Sequence, residues 1–293
     1  VLTPGTVVEP GLLPGDANNY LASVIVEGDM VAVAYTDVST GEFAAMQVRS
    51  ETPLEVLAHE LYRLNPAEVL LPEEMDLPNG IEFHQTRLPR WHFEWNRAET
   101  QLREHFGTLT LDGFGMTGQD LAVQAAGAVV TYLSDNQPAV LPLLTSLSSY
   151  SIEEFMILDR ATRRNLELTE TIRSGEIKGS LLGVMDQTIT PMGRRLLRQW
   201  LNKPLLDAAQ INERLDRVEV FFDHGMWRSE VRAALKPIGD LERLTNRVMV
   251  GSAAPPDLVA LRELLANLEP LLEAAKAQGA DVLDSVLSKL DPC

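Results

Sequence analysis

LDRATRRNLELTETIRSGEIKGSLLGVMDQTITPMGRRLLRQWL, residues 158–201, divides the chain into two kinds of sequence. Upstream of it, short apolar runs broken by Gly-containing turns are mixed with amphipathic stretches. Downstream, apolar residues recur at helical spacing. The stretch itself holds two arginine clusters, Arg160/Arg163/Arg164 and Arg194/Arg195/Arg198, in an acidic chain. Asp159 opens it. Thr190-Pro191 is a helix start, with Thr as cap and Pro at the first helical position. Gly175, Gly179 and Gly183 between the clusters read as a flexible connection.

Working upstream, residues 20–26 (YLASVIV), 30–38 (MVAVAYTDV) and 42–48 (EFAAMQV) are strand-like, separated by Glu27-Gly28-Asp29 and Ser39-Thr40-Gly41. Such turns between short apolar runs predict antiparallel hairpins. Pro53–Leu64 has helical spacing, with Leu54, Leu57, Ala58 and Leu61 on one face. Residues 67–71 predict a buried strand, 81–83 another, and 94–106 and 117–132 helices. The order βββαβαβαα predicts an α/β domain with a mixed sheet. It is also the order of ribonuclease-H-like folds. Residues 154–158 return briefly to strand-like alternation.

Downstream, Asp207 starts a helix in which Ile211, Leu215, Val218 and Phe222 form one apolar stripe. Helices follow at 226–235 and 240–250, then a long one from Pro255 with Leu258, Leu261, Leu265, Leu268 and Leu272 in register, and a last at 280–290. Residues 1–19, with three Pro-Gly pairs in their first fifteen positions, read as a linker. The predicted organisation is a linker at 1–19, an α/β domain at 20–150, and an all-α helical domain at 151–293.

The 293 residues carry a formal charge of −17. Residues 1–150 contribute −14 and contain no lysine, whereas 151–293 contribute −3. Backbone contact with nucleic acid needs Lys and Arg, so the first half is a poor DNA surface and only the arginine clusters remain as phosphate contacts. Pairing with carboxylates between domains is the favoured reading of those clusters, because guanidinium forks suit carboxylates. The single cysteine, Cys293, permits neither an internal disulfide nor a cysteine zinc site. No apolar run reaches the ~20 residues of a membrane span. No basic, apolar leader opens the chain, which starts at Val1 and reads as a segment of something longer.

None of the five lysines follows a glycine, so no Walker loop is present. His59-Glu60 starts like a zinc-hydrolase helix, but Arg63 stands where the second histidine belongs. No nucleophile–base set stands out. A nuclease reading would draw on Asp37 and Glu42, with Asp112 and Asp120 as further carboxylates for two cations ~3.5–4 Å apart. The DVSTGE run at 37–42 is equally a hairpin turn, and that plainer reading is favoured.

The stretch resembles the MutS family of bacterial DNA mismatch recognition ATPases. The resemblance rests on Leu158-Asp159 with Thr162, Asn165, Leu166 and Glu167, on TPMG at 190–193, on Trp200-Leu201 and Pro204-Leu205, and on GDLER at 239–243. TPGT at 3–6, NNYL at 18–21, DVSTGEF at 37–43 and ELYRLNPAEVLLPE at 60–73 extend it over nearly the whole chain, least clearly over the last fifteen residues. It implies that 20–150 is a connector domain of ribonuclease-H-like fold and 151–293 the first part of a helical core or lever domain. Asp159, Thr162, Asn165, Glu167, Thr190 and Pro191 would then shape the junction.

No phenylalanine has Glu two places on, so the family's Phe-x-Glu mismatch reader has no match here. The resemblance therefore implies a non-enzymatic part of a cytoplasmic DNA repair protein. ATP and Mg²⁺ would serve only the full-length protein, and mismatched DNA only its dimer. MutL would dock on the connector, and no membrane is involved. The alternatives are the nuclease built on Asp37 and Glu42, and DNA binding by the arginine clusters.

Overall fold

The computed structural model describes residues 2–9, 11–277 and 283–288. Strands β1 (Leu21–Glu27), β2 (Met30–Asp37) and β3 (Glu42–Arg49) form an antiparallel meander. Helix α1 (Pro53–Leu64) then crosses one face and leads into β4 (Glu68–Pro72), which lies parallel to β1. Strand β5 (Gln85–Leu88) adds parallel to β4, and the two-residue β6 (Ser148–Ser149) adds parallel to β3. The six-stranded order is β5-β4-β1-β2-β3-β6. Helices α2 (Trp95–Phe106) and α3 (Asp120–Asn136) cover the other face.

Alternation along the strands sorts the core into two layers, as a period of two requires. Leu21, Ile25, Ala32, Ala34, Phe43 and Ala45 face α2 and α3. Ala22, Val24, Val31, Val33, Ala44 and Met46 face Leu57 and Leu61 of α1. Both faces are covered, so the central strands read as nearly continuous apolar runs. Gly127 lets α3 lie directly on α2: a Cβ there would stand 2.3 Å from that of Ala98.

Two strand predictions need correction. Residues 81–83 form no ladder. Ile81 packs on the α1 layer, and pairing begins only at Gln85, opposite Val69. The expected strand at 154–158 reduces to one bridge, Phe155 with Leu205. The entry segment is also tied down. Thr3–Thr6 sits against β4, where buried Glu68 accepts from Thr3 Oγ1 (2.6 Å), Gly5 N (3.0 Å), Thr86 Oγ1 (2.6 Å) and Tyr132 Oη (2.8 Å).

From residue 160 the described elements are helical: α4 (Arg160–Asn165), α5 (Leu181–Met185), α6 (Pro191–Asn202), α7 (Ala208–Asp223), α8 (Gly225–Leu235), α9 (Leu241–Val250), α10 (Pro255–Ala266), α11 (Leu268–Lys276) and α12 (Asp284–Leu287). The caps follow the sequence. Asp159 accepts from Thr162 N, Thr190 from Gly193 N and Asp207 from Ala209 N.

The glycine-rich segment is folded back rather than slack. Leu181 N and Leu182 N donate to the carbonyls of Glu167 and Leu168, and a Cβ on Gly183 would meet Ile177 O at 2.2 Å. The long helix expected from Pro255 breaks at Asn267. Pro270 has no N–H for the carbonyl of Ala266 and would clash with it, so α10 ends there. A small core of Ile238, Leu244 and Leu264 joins α9 and α10. The α7 stripe faces outward, with Phe222 76% exposed. The predicted helix at 280–290 lies partly outside the described residues, and Cys293 wholly so. No helix among the described residues is long and apolar enough to cross a membrane.

Candidate functional site

The junction between the sheet and the helices holds the chain's densest polar chemistry, arranged in three groups. The first surrounds Arg195 and Arg243, which α6 and α9 aim at the sheet's entry loop. Arg195 grips Asp240 with both terminal nitrogens (2.6 and 2.8 Å), also binds Glu242, and donates to Gly15 O (3.2 Å). Burial opposes charge on Arg195, but Asp240 and Glu242 outweigh it and raise the pKa. Arg243 donates from Nε to Ser39 Oγ (3.1 Å), and from its terminal nitrogens to Pro14 O (2.8 Å) and Ala17 O (2.7 Å). Asn246 Nδ2 adds a bond to Ser39 O (3.0 Å). A turn of the β2–β3 hairpin, the entry loop and α9 are thereby joined by directional hydrogen bonds in a site screened from water, where such bonds count for most.

The second group lies under α6. Tyr20 Oη and Tyr35 Oη donate to the two oxygens of Glu42 (3.0 and 3.2 Å), and Gln199 of α6 donates to Tyr20 Oη (3.1 Å) and Glu42 (3.3 Å). Burial raises the Glu42 pKa against the lowering effects of Tyr20 and Lys203. Asn18 Nδ2 bridges Glu42 (3.5 Å) to Asp37 (3.0 Å), whose oxygens also accept from Asn19 N (3.1 Å) and from Ser39 N (2.9 Å) and Oγ (2.6 Å).

Lys203, just past α6, lies 4.9 Å from the centre of the Tyr150 ring, 5.3 Å from Phe155 and 5.9 Å from Tyr35. Burial first, and the nearby Arg63 second, push its amine down to about 8. Arg63 in turn pairs with buried Glu60, which also accepts from Tyr150 Oη.

Asp37 and Glu42, the carboxylates of the alternative nuclease reading, are therefore brought together, but their oxygens accept from protein donors. Asp112 instead accepts from Thr117, and Asp120 opens α3. Among the described residues no three His, Cys, Asp or Glu side chains are grouped to hold a metal. The carboxylates at 37 and 42 fasten the hairpin to the entry loop and to α6.

The third group is a cleft of about 390 Å³ between α1, α4 and α6. The arginines singled out in the sequence split here. Arg195 pairs with carboxylates, and so does Arg194, whose Nε is 2.9 Å from Asp186. Arg160, Arg163, Arg164 and Arg198 line the cleft. Arg160 donates to Tyr62 Oη and Gly80 O (3.1 Å each). Arg163 donates to Leu158 O (3.0 Å) and to Asn202 Oδ1 and O (2.8 and 2.9 Å). Asp159, Thr162, Thr190 and Pro191 set the starts of α4 and α6 that aim these residues. Glu167 accepts from Ile172 N through its side chain, with a left-handed backbone at φ 46°, and Asn165 closes α4.

Sequence reasoning missed Lys203, Gln199 and Ser39 as junction residues. Arg243 and Asp240 had a signal in GDLER, where Asp240 caps α9 and frees Arg243 to reach back.

Two sequence models match the chain: that of MutS domain II over residues 19–145 and that of MutS domain III over residues 161–291. The second runs into the last residues, where the resemblance read from motifs is weakest. The chain is 42% identical over 298 residues to the DNA mismatch repair protein MutS of Symbiobacterium thermophilum, covering 99% of this chain and 34% of that protein. It is 38% identical to the MutS of Roseiflexus castenholzii, with 94% and 29% covered, and 37% identical to that of Alkaliphilus metalliredigens, with 100% and 34% covered. The chain thus spans about a third of the length of these curated relatives.

Proposed function

The chain belongs to the MutS family, and from that premise we propose that it is the coupling part of a mismatch-recognition ATPase. Residues 20–150 act as a connector of ribonuclease-H-like fold, and 151–293 as the first part of the lever. The strand order supports the fold reading: an antiparallel β1-β2-β3 meander with β4 and then β5 added parallel beside β1. In this role the chain passes conformational change between distant ATPase and DNA-reading parts of a full-length dimer, and offers a docking face to MutL. It works in the cytoplasm and catalyses nothing itself.

The observation that carries this reading is the pair of fastenings from Arg195 to Gly15 of the entry loop and from Arg243 to Ser39 of the β2–β3 turn. They make the sheet and the helices move together, which a part that transmits motion requires. The residues present do not fit a nucleotide of the P-loop kind, because no lysine follows a glycine. ATP and Mg²⁺ therefore belong to other parts of the full-length protein.

The test places Arg243→Ala in a full-length protein containing this segment. Mismatch affinity without ATP is expected to stay within about twofold, while ATP-triggered release from the mismatch slows. Unchanged release kinetics would refute the coupling role. Steady ATP turnover by the purified 293-residue chain would refute the non-catalytic assignment.

A further inference from the structure

The cleft between α1, α4 and α6 has a charge pattern that the coupling role does not use. Elsewhere in the junction each arginine meets a carboxylate or a set of backbone carbonyls. Here, among the described residues, none of Arg160, Arg163, Arg164 and Arg198 has an ion pair. Arg163 satisfies its fork on an amide side chain and two carbonyls, which leaves a partly desolvated charge with no carboxylate in direct contact and only Glu60 acting on it from a distance. Burial and the neighbouring Arg63 bring its pKa down to about 10. Arg198 carries a buried Nε with no acceptor. The Arg164 side chain makes no hydrogen bond among the described residues and is exposed on the lining of the cleft. Glu170 is the one carboxylate on the lining besides these groups.

Five guanidinium groups thus line one small space, Arg63 paired with Glu60 and the other four without an ion pair among the described residues, in a chain whose net charge is −17. Holding those four together unpaired is unfavourable, and an anion that enters reverses the sign of that energy. Guanidinium forks match phosphate oxygens in pairs. The volume, about 390 Å³, falls at the small end of the ~300–1,000 Å³ typical of ligand pockets. That volume suits a compact ligand, and the acidic α/β half beside the cleft repels a long polyanion. Thr169 and Asn65 supply neutral donors on the wall.

We propose that this cleft is a site for a compact polyphosphate, two or three adjacent phosphate groups, held by Arg160, Arg163, Arg164 and Arg198. Arg163 and Arg198 lie deeper and hold the inner phosphate, while the exposed Arg164 meets the outer one. Because α4 and α6 both contribute, occupancy also ties together the two ends of the 158–201 stretch.

The test titrates the 293-residue chain with sodium tripolyphosphate and pyrophosphate at low salt, by calorimetry and thermal shift. ADP and a single-stranded 20-mer run as separate arms. Tripolyphosphate is expected to bind and to raise the melting temperature by several degrees at saturation, as any ligand of the native state does. Binding of ADP in competition with tripolyphosphate identifies a nucleotide as one source of the phosphates. Failure of ADP to compete identifies an inorganic source, and either result supports the site.

The double variant Arg164→Gln/Arg198→Gln removes two side chains that make no hydrogen bonds among the described residues. It is expected to keep the ligand-free melting temperature and lose affinity at least tenfold. Arg194→Gln, whose arginine pairs with Asp186 outside the cleft, is expected to bind as the parent does. Three outcomes overturn the proposal: no binding of either phosphate probe, unchanged binding by the double variant, or equal loss in Arg194→Gln. Binding of the 20-mer that tripolyphosphate cannot displace would likewise overturn it in favour of a nucleic-acid surface.

Discussion

Glu68 and Lys203 show how a single buried charge sets the behaviour of its surroundings. Burial alone would raise the Glu68 carboxyl, but the hydroxyls of Thr3, Thr86 and Tyr132 and the amide of Gly5 together lower it. A carboxylate lowered on folding stabilises the fold above its unfolded value and loses that contribution as pH falls through the folded one. Glu68→Ala also strands four donors, so a loss of roughly 2–4 kcal/mol is expected in urea unfolding at neutral pH. The acid limb of the stability profile should become shallower in the same variant.

Lys203 works in the opposite sense. Its amine is held near 8 in the fold against an ordinary 10.5. The unfolded chain therefore binds more protons between those values, and this group makes stability rise with pH across that window. Lys203→Met should abolish the rise, which denaturation at pH 7.5, 9 and 10 would reveal. Little of this was legible beforehand. The residue types were plain in the sequence, but neither the three rings around Lys203 nor the four donors on Glu68 are neighbours in the chain. The arginine clusters were visible, yet their division into paired and unpaired members depends on which carboxylates α9 and the α5–α6 turn bring near.

At the scale of elements the sequence was a better guide. Pro53–Leu64 forms over the predicted residues, and the three meander strands differ from prediction only at their ends. Alternation and capping are local, and local signals survive folding. The failures were places where a non-local fact intervened. Residues 81–83 look like a strand, but the parallel register with β4 is satisfied two to four residues later. The leucine register from Leu258 to Leu272 is continuous in sequence, but Pro270 interrupts the backbone hydrogen bonding that would carry one helix through it. Packing between elements also rests on one glycine. Gly127→Ala would force its methyl into Ala98 and push α3 off α2. A loss of about 1–3 kcal/mol is expected in chemical denaturation, as for other overpacked cores. Reduction of Ala98 to Gly in the same chain should restore part of it.

The whole molecule is two differently built halves joined by polar chemistry. The α/β half buries two apolar layers and has a charge of −14, whereas the helical half has a small core at α9 and α10, buries Trp227 of α8, and leaves the α7 stripe uncovered among the described residues. An apolar stripe of this kind is the sort of face that meets a partner surface. The bridge between Phe155 and Leu205 adds a mechanical consequence. Met156 N and Leu206 N donate to Pro204 O and Glu154 O at the same place, so the chain returns to where it departed. Tension applied between the sheet and α7 meets this short ladder at its open end, where the two strands peel apart, and the intervening residues are held besides by the bonds of Gln199 and Arg160 to the α/β half. Once the ladder and those bonds open, roughly 160 Å of stored contour should be released at ~3.4 Å per residue. Optical-tweezer extension of the chain, gripped at Arg49 and Asp223, would record that length as a discrete step. The 158–201 stretch would lengthen only after the ladder had opened, which makes it a folded reserve of length behind a mechanical latch.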